Sequence, residues 1–216
     1  MIVDTMTHEE VYAELERERE AVTTWWTYKL ISFRRAVLKA PRLPLERWVE
    51  YQSARRNKYV FYTRIYDRKM RRILTGMSVM RQTKEGLTAY TTWLDHQRLI
   101  SPMVLTPHMF KRYAERAGVD KSGAELVKHY FMHNAHGCDT QNQRIMARSV
   151  RWNGQEHQAS CVAQGVLLGQ LEGDLFIART FITYDMTSGL QAQEFARCRR
   201  NILTDEELYQ RALIMY

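Results

Sequence analysis

The chain has 216 residues, 45% hydrophobic and 26% charged, a balance that suits a globular protein with a real core and excludes a disordered one. Its 32 Lys and Arg against 24 Asp and Glu leave a formal charge of +8, which favours polyanionic partners. No run approaches the ~18 apolar residues of a membrane span, MIVDTMTHEE is too acidic for a secretory signal, and Cys138, Cys161 and Cys198 are too dispersed for a disulfide framework, so a reducing, cytoplasmic setting is expected.

Thr7 followed by Glu10 is a capping box and predicts a long helix through EEVYAELERERE and TTWWTYKLISFRRAVLKA. Pro41 and Pro44 stop it, and LERWVEYQSARR reads as a second, short helix. Residues 1–57 are therefore expected as an N-terminal helical hairpin packed on an α+β domain over 58–216. KYVFYTRIYD, RRILTGMSVMRQ, LTAYTTWLD and LISPMVL read as a four-stranded antiparallel meander with a turn at Thr83 to Gly86. Pro102 argues that the last strand lies at an edge or is irregular.

Two helices follow. The first has Thr106 as cap, Pro107 in its first position and Gly118 at its end. The second starts at Ser122 and runs through AELVKHYFMHN. RIMARSVRW and QEHQASCVA flank Asn153-Gly154, a dipeptide suited to the positive φ angles of a tight hairpin. GVLLGQL reads as an extension of the second arm, and a turn at Gly173-Asp174 leads into LFIARTFITYD. Two more helices, capped at Ser188 and Thr204, close the chain. The expected class is α+β: helices, then two antiparallel meanders separated by two helices, then C-terminal helices.

TPHMFKRYAER carries the first chemical signal. At about 100° per residue, Phe110, Tyr113, Ala114 and Ala117 share one side of the helix. His108, Arg112 and Glu115 take the opposite side, with Arg116 toward its edge. One reading is a solvated face with Arg112 paired to Glu115. The other begins from His108 in the first turn, where free amides and the helix dipole attract a phosphate. Arg112 and Arg116 would hold phosphate oxygens, and the imidazole would move a proton as general base or acid.

Residues 104–186, from TPHMFKRYAERAGVDKSGAELVKHYF to RTFITYD, resemble the barnase, EndoU, colicin D and RelE superfamily of small RNases, phage-borne members in particular. That resemblance implies helices before a meandering antiparallel sheet. It also implies a site joining a helix His or Arg to a polar residue on a late strand. The matching positions are His108, Arg112 and Arg116 on the helix, and Arg179, Thr180 or Thr183 on the strand. Strand alternation puts Arg179 among apolar neighbours, where it should find either a carboxylate or a phosphate.

KHYFMHNAHGCD offers a competing site. His129 and His133 stand four apart, with His136 and Cys138 following, a set that zinc could use. The same histidines, His133 above all, could instead touch RNA or lie at the boundary of the apolar stripe. Cys161 and Cys198 read as structural. Basic pairs at Arg34-Arg35, Arg55-Arg56, Arg68-Lys69 and Arg71-Arg72, with Arg64 among the aromatics of its strand, suit phosphate contacts. Arg64, Arg71 and Arg72 are the substrate-binding candidates there. There is no G-x-x-x-x-G-K-[ST], G-x-G-x-x-G or G-x-S-x-G.

The leading expectation is a metal-independent, cofactor-free RNA-cleaving or toxin-like nuclease of phage or mobile-element type. RNA would be its partner, with a protein inhibitor or a second copy as further partners and no membrane. A non-enzymatic nucleic-acid-binding accessory protein is the first alternative. A zinc-dependent protein using His129, His133, His136 and Cys138 is the second.

Overall fold

The computed structural model describes residues 1–71, 73–94, 99–134, 149–152 and 155–200. Helix α1 spans His8–Ser32 and α2 spans Arg34–Lys39. Strands β1 (Leu45–Gln52), β2 (Lys58–Ile65), β3 (Ile73–Thr83), β4 (Gly86–Leu94) and β5 (Leu99–Leu105) come next. After α3 (Pro107–Ala117) and α4 (Gly123–Asn134) come β6 (Ser149–Trp152), β7 (Gln155–Val162), β8 (Gly165–Glu172) and β9 (Leu175–Thr183). Residues 189–200 form a further helix, α5.

The class is α+β, with two antiparallel meanders separated by two helices. Both meanders belong to one sheet of order β1-β2-β3-β4-β5-β9-β8-β7-β6, closed at its centre by a parallel pairing of β5 with β9. Strand alternation divides the core. Tyr59, Phe61, Met77, Val79, Tyr90, Val104, Leu175 and Ile177 face α1, which contributes Val11, Leu15, Val22 and Trp26. Burying each such side chain is worth about 2 kcal/mol. Trp26 stacks on Phe61 with ring centroids 4.4 Å apart. Met103, Leu105, Phe176, Ala178 and Phe181 face the other way, against Met109, Phe110 and Tyr113 of α3 and Leu126, Val127, Tyr130 and Phe131 of α4. Phe195 and Cys198 of α5 cover Ala159, Cys161, Val166, Leu168 and Ile182. Leu168 and Gln170 alternate onto one face and Gln170 pairs with Ile177, so α5 lies on the α1 side. The layers are helices, sheet, helices.

Four expectations are corrected or narrowed. LERWVEYQ is strand β1, paired from Leu45↔Ile65 to Gln52↔Lys58. Trp48 packs on the α4 side while Val49 and Tyr51 pack on the α1 side, a period of two that tertiary packing selected over the local helix pattern. The helical N-terminal segment thus ends at Lys39, and the first meander has five strands. β5 is not an edge, because it lies between β4 and β9. It is irregular, as Pro102 suggested: the register shifts between Thr91 and Trp93. The Tyr12 hydroxyl lies 3.0 Å from Thr91 O and 2.7 Å from Met103 O beside that shift, supplying a donor where the ladder is broken. GVLLGQL is a separate strand, β8, reached through a turn at Ala163-Gln164.

The fourth correction concerns β9. Gly169 pairs with Ala178 but Leu168 pairs with Thr180, leaving Arg179 as the extra residue of a β-bulge. Strict alternation, which put Arg179 among apolar neighbours, would also place Phe176 and Ala178 on the face of Ile182. The bulge puts them instead on the face of Phe181, and leaves Arg179 exposed.

The helix starts and the hairpin were legible. Thr106 Oγ1 accepts from Met109 N at 3.2 Å and donates to Ala178 O at 2.9 Å, so the cap of α3 is also its anchor on β9. Gly118 ends the helix at φ 64°. Trp152 pairs with Gln155, the register expected of the 153–154 turn, which itself lies outside the described residues. The helix expected from Thr204 also lies outside them.

Candidate nucleic-acid interface

Helix α3 sets out the predicted catalytic face. His108 is exposed in its first turn. Arg112 Nη1 lies 2.8 Å from Glu115 Oε2, and the hydrogen bond holds the Glu115 carboxyl below its usual range. This is the paired, solvated reading of that face. Arg116 turns inward, and its Nη1 donates to Phe181 O and lies 3.4 Å from Thr180 Oγ1. Burial and the nearby Arg112 lower its pKa. The bulge exposes the Phe181 carbonyl to this guanidinium, so Arg116 clamps α3 to β9.

On the strand, Arg179 reaches Glu172 Oε1 at 3.8 Å, with both side chains about half exposed. It has the carboxylate neighbour of the two alternatives, on the surface rather than inside. Thr183 is half-buried and precedes a 3-10 turn over Tyr184–Met186. The structure brings Arg116 and Thr180 together, whereas Arg112 and Arg179 each face a carboxylate. The cavity beside α3, about 350 Å³, is lined by Gln82, Pro107, Phe110, Lys111 and Leu126, and by none of His108, Arg112, Arg116, Arg179 or Thr180.

Arg64 is tied into the scaffold. Its Nε stands 2.5 Å from Glu46 Oε1, and its Nη2 donates to Met132 O at 2.7 Å. There it complements the C-terminal end of α4. Arg71 is exposed, while Arg72, His136 and Cys138 lie outside the described residues. His129 and His133 stack on α4 with centroids 4.1 Å apart. Among the described residues no group of three or more His, Cys, Asp or Glu could hold a metal ion. No described helix is long and apolar enough to cross a membrane.

The strongest convergence of charge is elsewhere. Residues 29–45 contain Lys29, Arg34, Arg35, Lys39 and Arg42 and no carboxylate. Arg68, in the β2–β3 loop, donates to Leu38 O at 2.7 Å and to Ala40 O at 3.1 Å. Those bonds satisfy carbonyls at the end of α2 and bring the loop against it. Lys69 and Arg71, with Asp67 in the same loop, are thereby brought to the end of α2, and they are exposed, as are Arg34, Arg35, Lys39 and Arg42. Tyr28 and Ile31, 70% and 63% exposed, lie in the last two turns of α1, just before Arg34 in the chain. The basic pairs were visible in the sequence. Their meeting was not, because nothing local reveals which carbonyls a loop arginine will cap. The acid-free run at 29–45 was the signal that could have ranked this surface first.

Cys161 of β7 and Cys198 of α5 are 4% and 6% exposed. A hydrogen bond with Cys198 and burial together push the Cys161 thiol up. Neither is poised as a nucleophile. In the folded protein both should resist a thiol reagent such as iodoacetamide and react on denaturation. Peptide mass spectrometry after a timed pulse checks this; rapid native labelling of Cys198 would mean that α5 leaves the sheet.

Comparison with protein-family models, with curated proteins and with solved structures finds no match for this chain. Its class is therefore stated from its own geometry: a three-layer α+β protein with a basic surface at the α1–α2 end.

Proposed function

We propose that the protein is a nucleic-acid-binding module, directed first at single-stranded RNA and acting in the cytoplasm. The observation that supports this most is the tie between Arg68 and the end of α2, which brings two basic segments together. Arginines and lysines there would neutralise phosphates and release counterions. Tyr28 offers an exposed ring on which a base can stack. The net charge of +8 favours the same class of partner.

Anisotropy of a labelled 20-nucleotide RNA across a salt series tests it. Affinity should fall with salt at about 0.7 log units per log unit for each phosphate neutralised. Reversing Arg34, Arg35 and Arg71 to Glu should flatten that slope by about 2, the sum of three such contacts, and weaken binding at least about tenfold. An unchanged slope removes the proposal. Binding to anionic phospholipid vesicles with no binding to RNA or DNA replaces it with a membrane-surface role.

Metal-independent RNA cleavage is the second reading, supported by the Arg116–Thr180 contact. That contact pairs a helix arginine with a late-strand threonine, as the resemblance to small RNases implies. Cleavage that survives EDTA and is lost in His108→Ala supports this reading. RNA binding with no cleavage leaves the first.

A further inference from the structure

A chain of hydrogen bonds behind α4 determines where the protons sit on His129. The backbone N–H of Gln164 can only donate, so the Asn134 atom 3.0 Å away is Oδ1. The other amide atom of Asn134 is then Nδ2, and it donates to Gln164 Oε1 at 2.9 Å. Tyr113 Oη stands 2.7 Å from that same Oε1 and gives its single proton there. The 2.9 Å contact between Tyr113 Oη and His129 Nδ1 must therefore take its proton from the ring. His129 carries its proton on Nδ1 and, when neutral, presents a bare Nε2. His133 follows more simply. Its Nδ1 lies 2.8 Å from the carbonyl oxygen of His129, which only accepts, so its Nε2 is bare as well.

The support is rigid: Tyr113 is 0% and Asn134 1% exposed. The two rings project from successive turns of one helix, with planes 22° apart. Burial, His133 and Lys121 all lower the pKa of His129. An imidazole whose Nδ1–H is held by an oxygen acceptor is oriented for a metal at Nε2.

We propose that His129 and His133 bind one divalent cation of the zinc class through their Nε2 atoms, with water completing the coordination. Imidazole nitrogen suits zinc, copper and nickel over calcium or magnesium. Stacked 22° apart, the two rings do not aim their Nε2 atoms at one ion as they stand; on binding, the exposed His133 ring turns about Cβ–Cγ and gives up its bond to the His129 carbonyl oxygen. The site is independent of the basic surface, and binding there needs no nucleic acid.

Calorimetric titration of metal-free protein with Zn²⁺ at pH 7.5 should show one ion per chain. His129→Ala and His133→Ala should each weaken binding at least tenfold. Tyr113→Phe, which removes the acceptor behind His129 together with the donor to Gln164 Oε1, should weaken it about tenfold. In the unaltered protein, Co²⁺ should broaden the amide NMR signals of residues 126–134 before any others. That measurement stands if a variant fails to fold. Zinc affinity unchanged in the His129→Ala/His133→Ala double variant, or broadening centred elsewhere, overturns the proposal.

Discussion

Gly169→Ala is expected to destabilise the protein by about 3 kcal/mol or more, a large effect for one methyl group. A Cβ at this position would lie 1.9 Å from the Ile177 carbonyl oxygen and 2.7 Å from its carbon. Those atoms are backbone, so no side-chain rotation relieves the overlap. Gly169 sits opposite Ala178, at the edge of the bulge that extrudes Arg179. Relief would have to come from shifting β9, which carries the Phe181 carbonyl clamped by Arg116. The change should therefore loosen α3 as well as the strand pair. Urea denaturation measures the loss, and hydrogen exchange should show weaker protection in both α3 and β9. A variant as stable as the parent would mean that the close approach of β8 and β9 is not maintained in solution.

Glu14→Gln is expected to cost about 1–2 kcal/mol, the scale of charged hydrogen bonds to cations that are themselves half exposed. Glu14 is 2% exposed on the sheet side of α1, beside Val11 and Leu15. Its Oε1 lies 2.7 Å from the Met1 ammonium and 2.6 Å from Arg55 Nε, and its Oε2 lies 2.9 Å from Arg55 Nη2. Glu18, one turn on, accepts from Asn57 Nδ2 at 2.6 Å and from the Tyr59 hydroxyl at 2.7 Å. The amide keeps the shape of Glu14 but leaves three cations without their carboxylate: the Met1 ammonium, Arg55 and, at 3.5 Å, Arg17. The hydrogen bonds from Arg55 and the N-terminus hold the Glu14 carboxyl at about 2, below its usual 4.5. A depressed carboxylate stabilises the fold fully above the unfolded value. Its contribution is lost as pH falls from 4.5 toward 2. The parent should therefore lose stability steeply over that window, and Glu14→Gln should lose less, because its deficit is already present at neutral pH. Thermal unfolding at pH 7 and pH 3 measures both. A stability gap that does not narrow on acidification would sink the assignment.

Both results concern features that local patterns do not disclose. A helical wheel places Glu14 and Glu18 among the apolar residues of α1, yet a glutamate near an apolar stripe is ordinarily solvated. Only the arrival of Arg55, Asn57 and Tyr59, some forty residues away in sequence, makes burial tolerable. The bulge at Arg179 is equally silent, since LFIARTFIT alternates acceptably without it. Its cause lies in the fit of β9 against β8 at Gly169. By contrast, the bounds of α3 are local events. Thr106, Pro107 and Gly118 act through their own backbone preferences, and the structure places them as those preferences require.

The candidate sites divide along the same line. The i, i+4 spacing of His108, Arg112 and Arg116 was legible, as was the Arg112–Glu115 pairing. That Arg116 would leave this face for the Phe181 carbonyl was not, because that carbonyl is offered by a bulge. Arg64 read as a phosphate contact because it stands among aromatics, but the pairing of β1 with β2 and the packing of α4 give it Glu46 and Met132 O instead. The histidine pair was legible as a pair. Its tautomers depend on Gln164 in the β7–β8 turn, which reaches α4 only in the folded chain.

By itself, then, the sequence determined the α+β class, the helices around 106–134, most of the strands and the basic character of the chain, because caps, proline, glycine and alternation act over a few residues. Tertiary structure alone decided that residues 45–52 are a strand, that two meanders form one sheet, which cations face carboxylates and which face solvent, and that two basic segments meet. Those outcomes depend on which distant group satisfies a carbonyl, a charge or an apolar face, and no short window of residues contains both halves of such a contact.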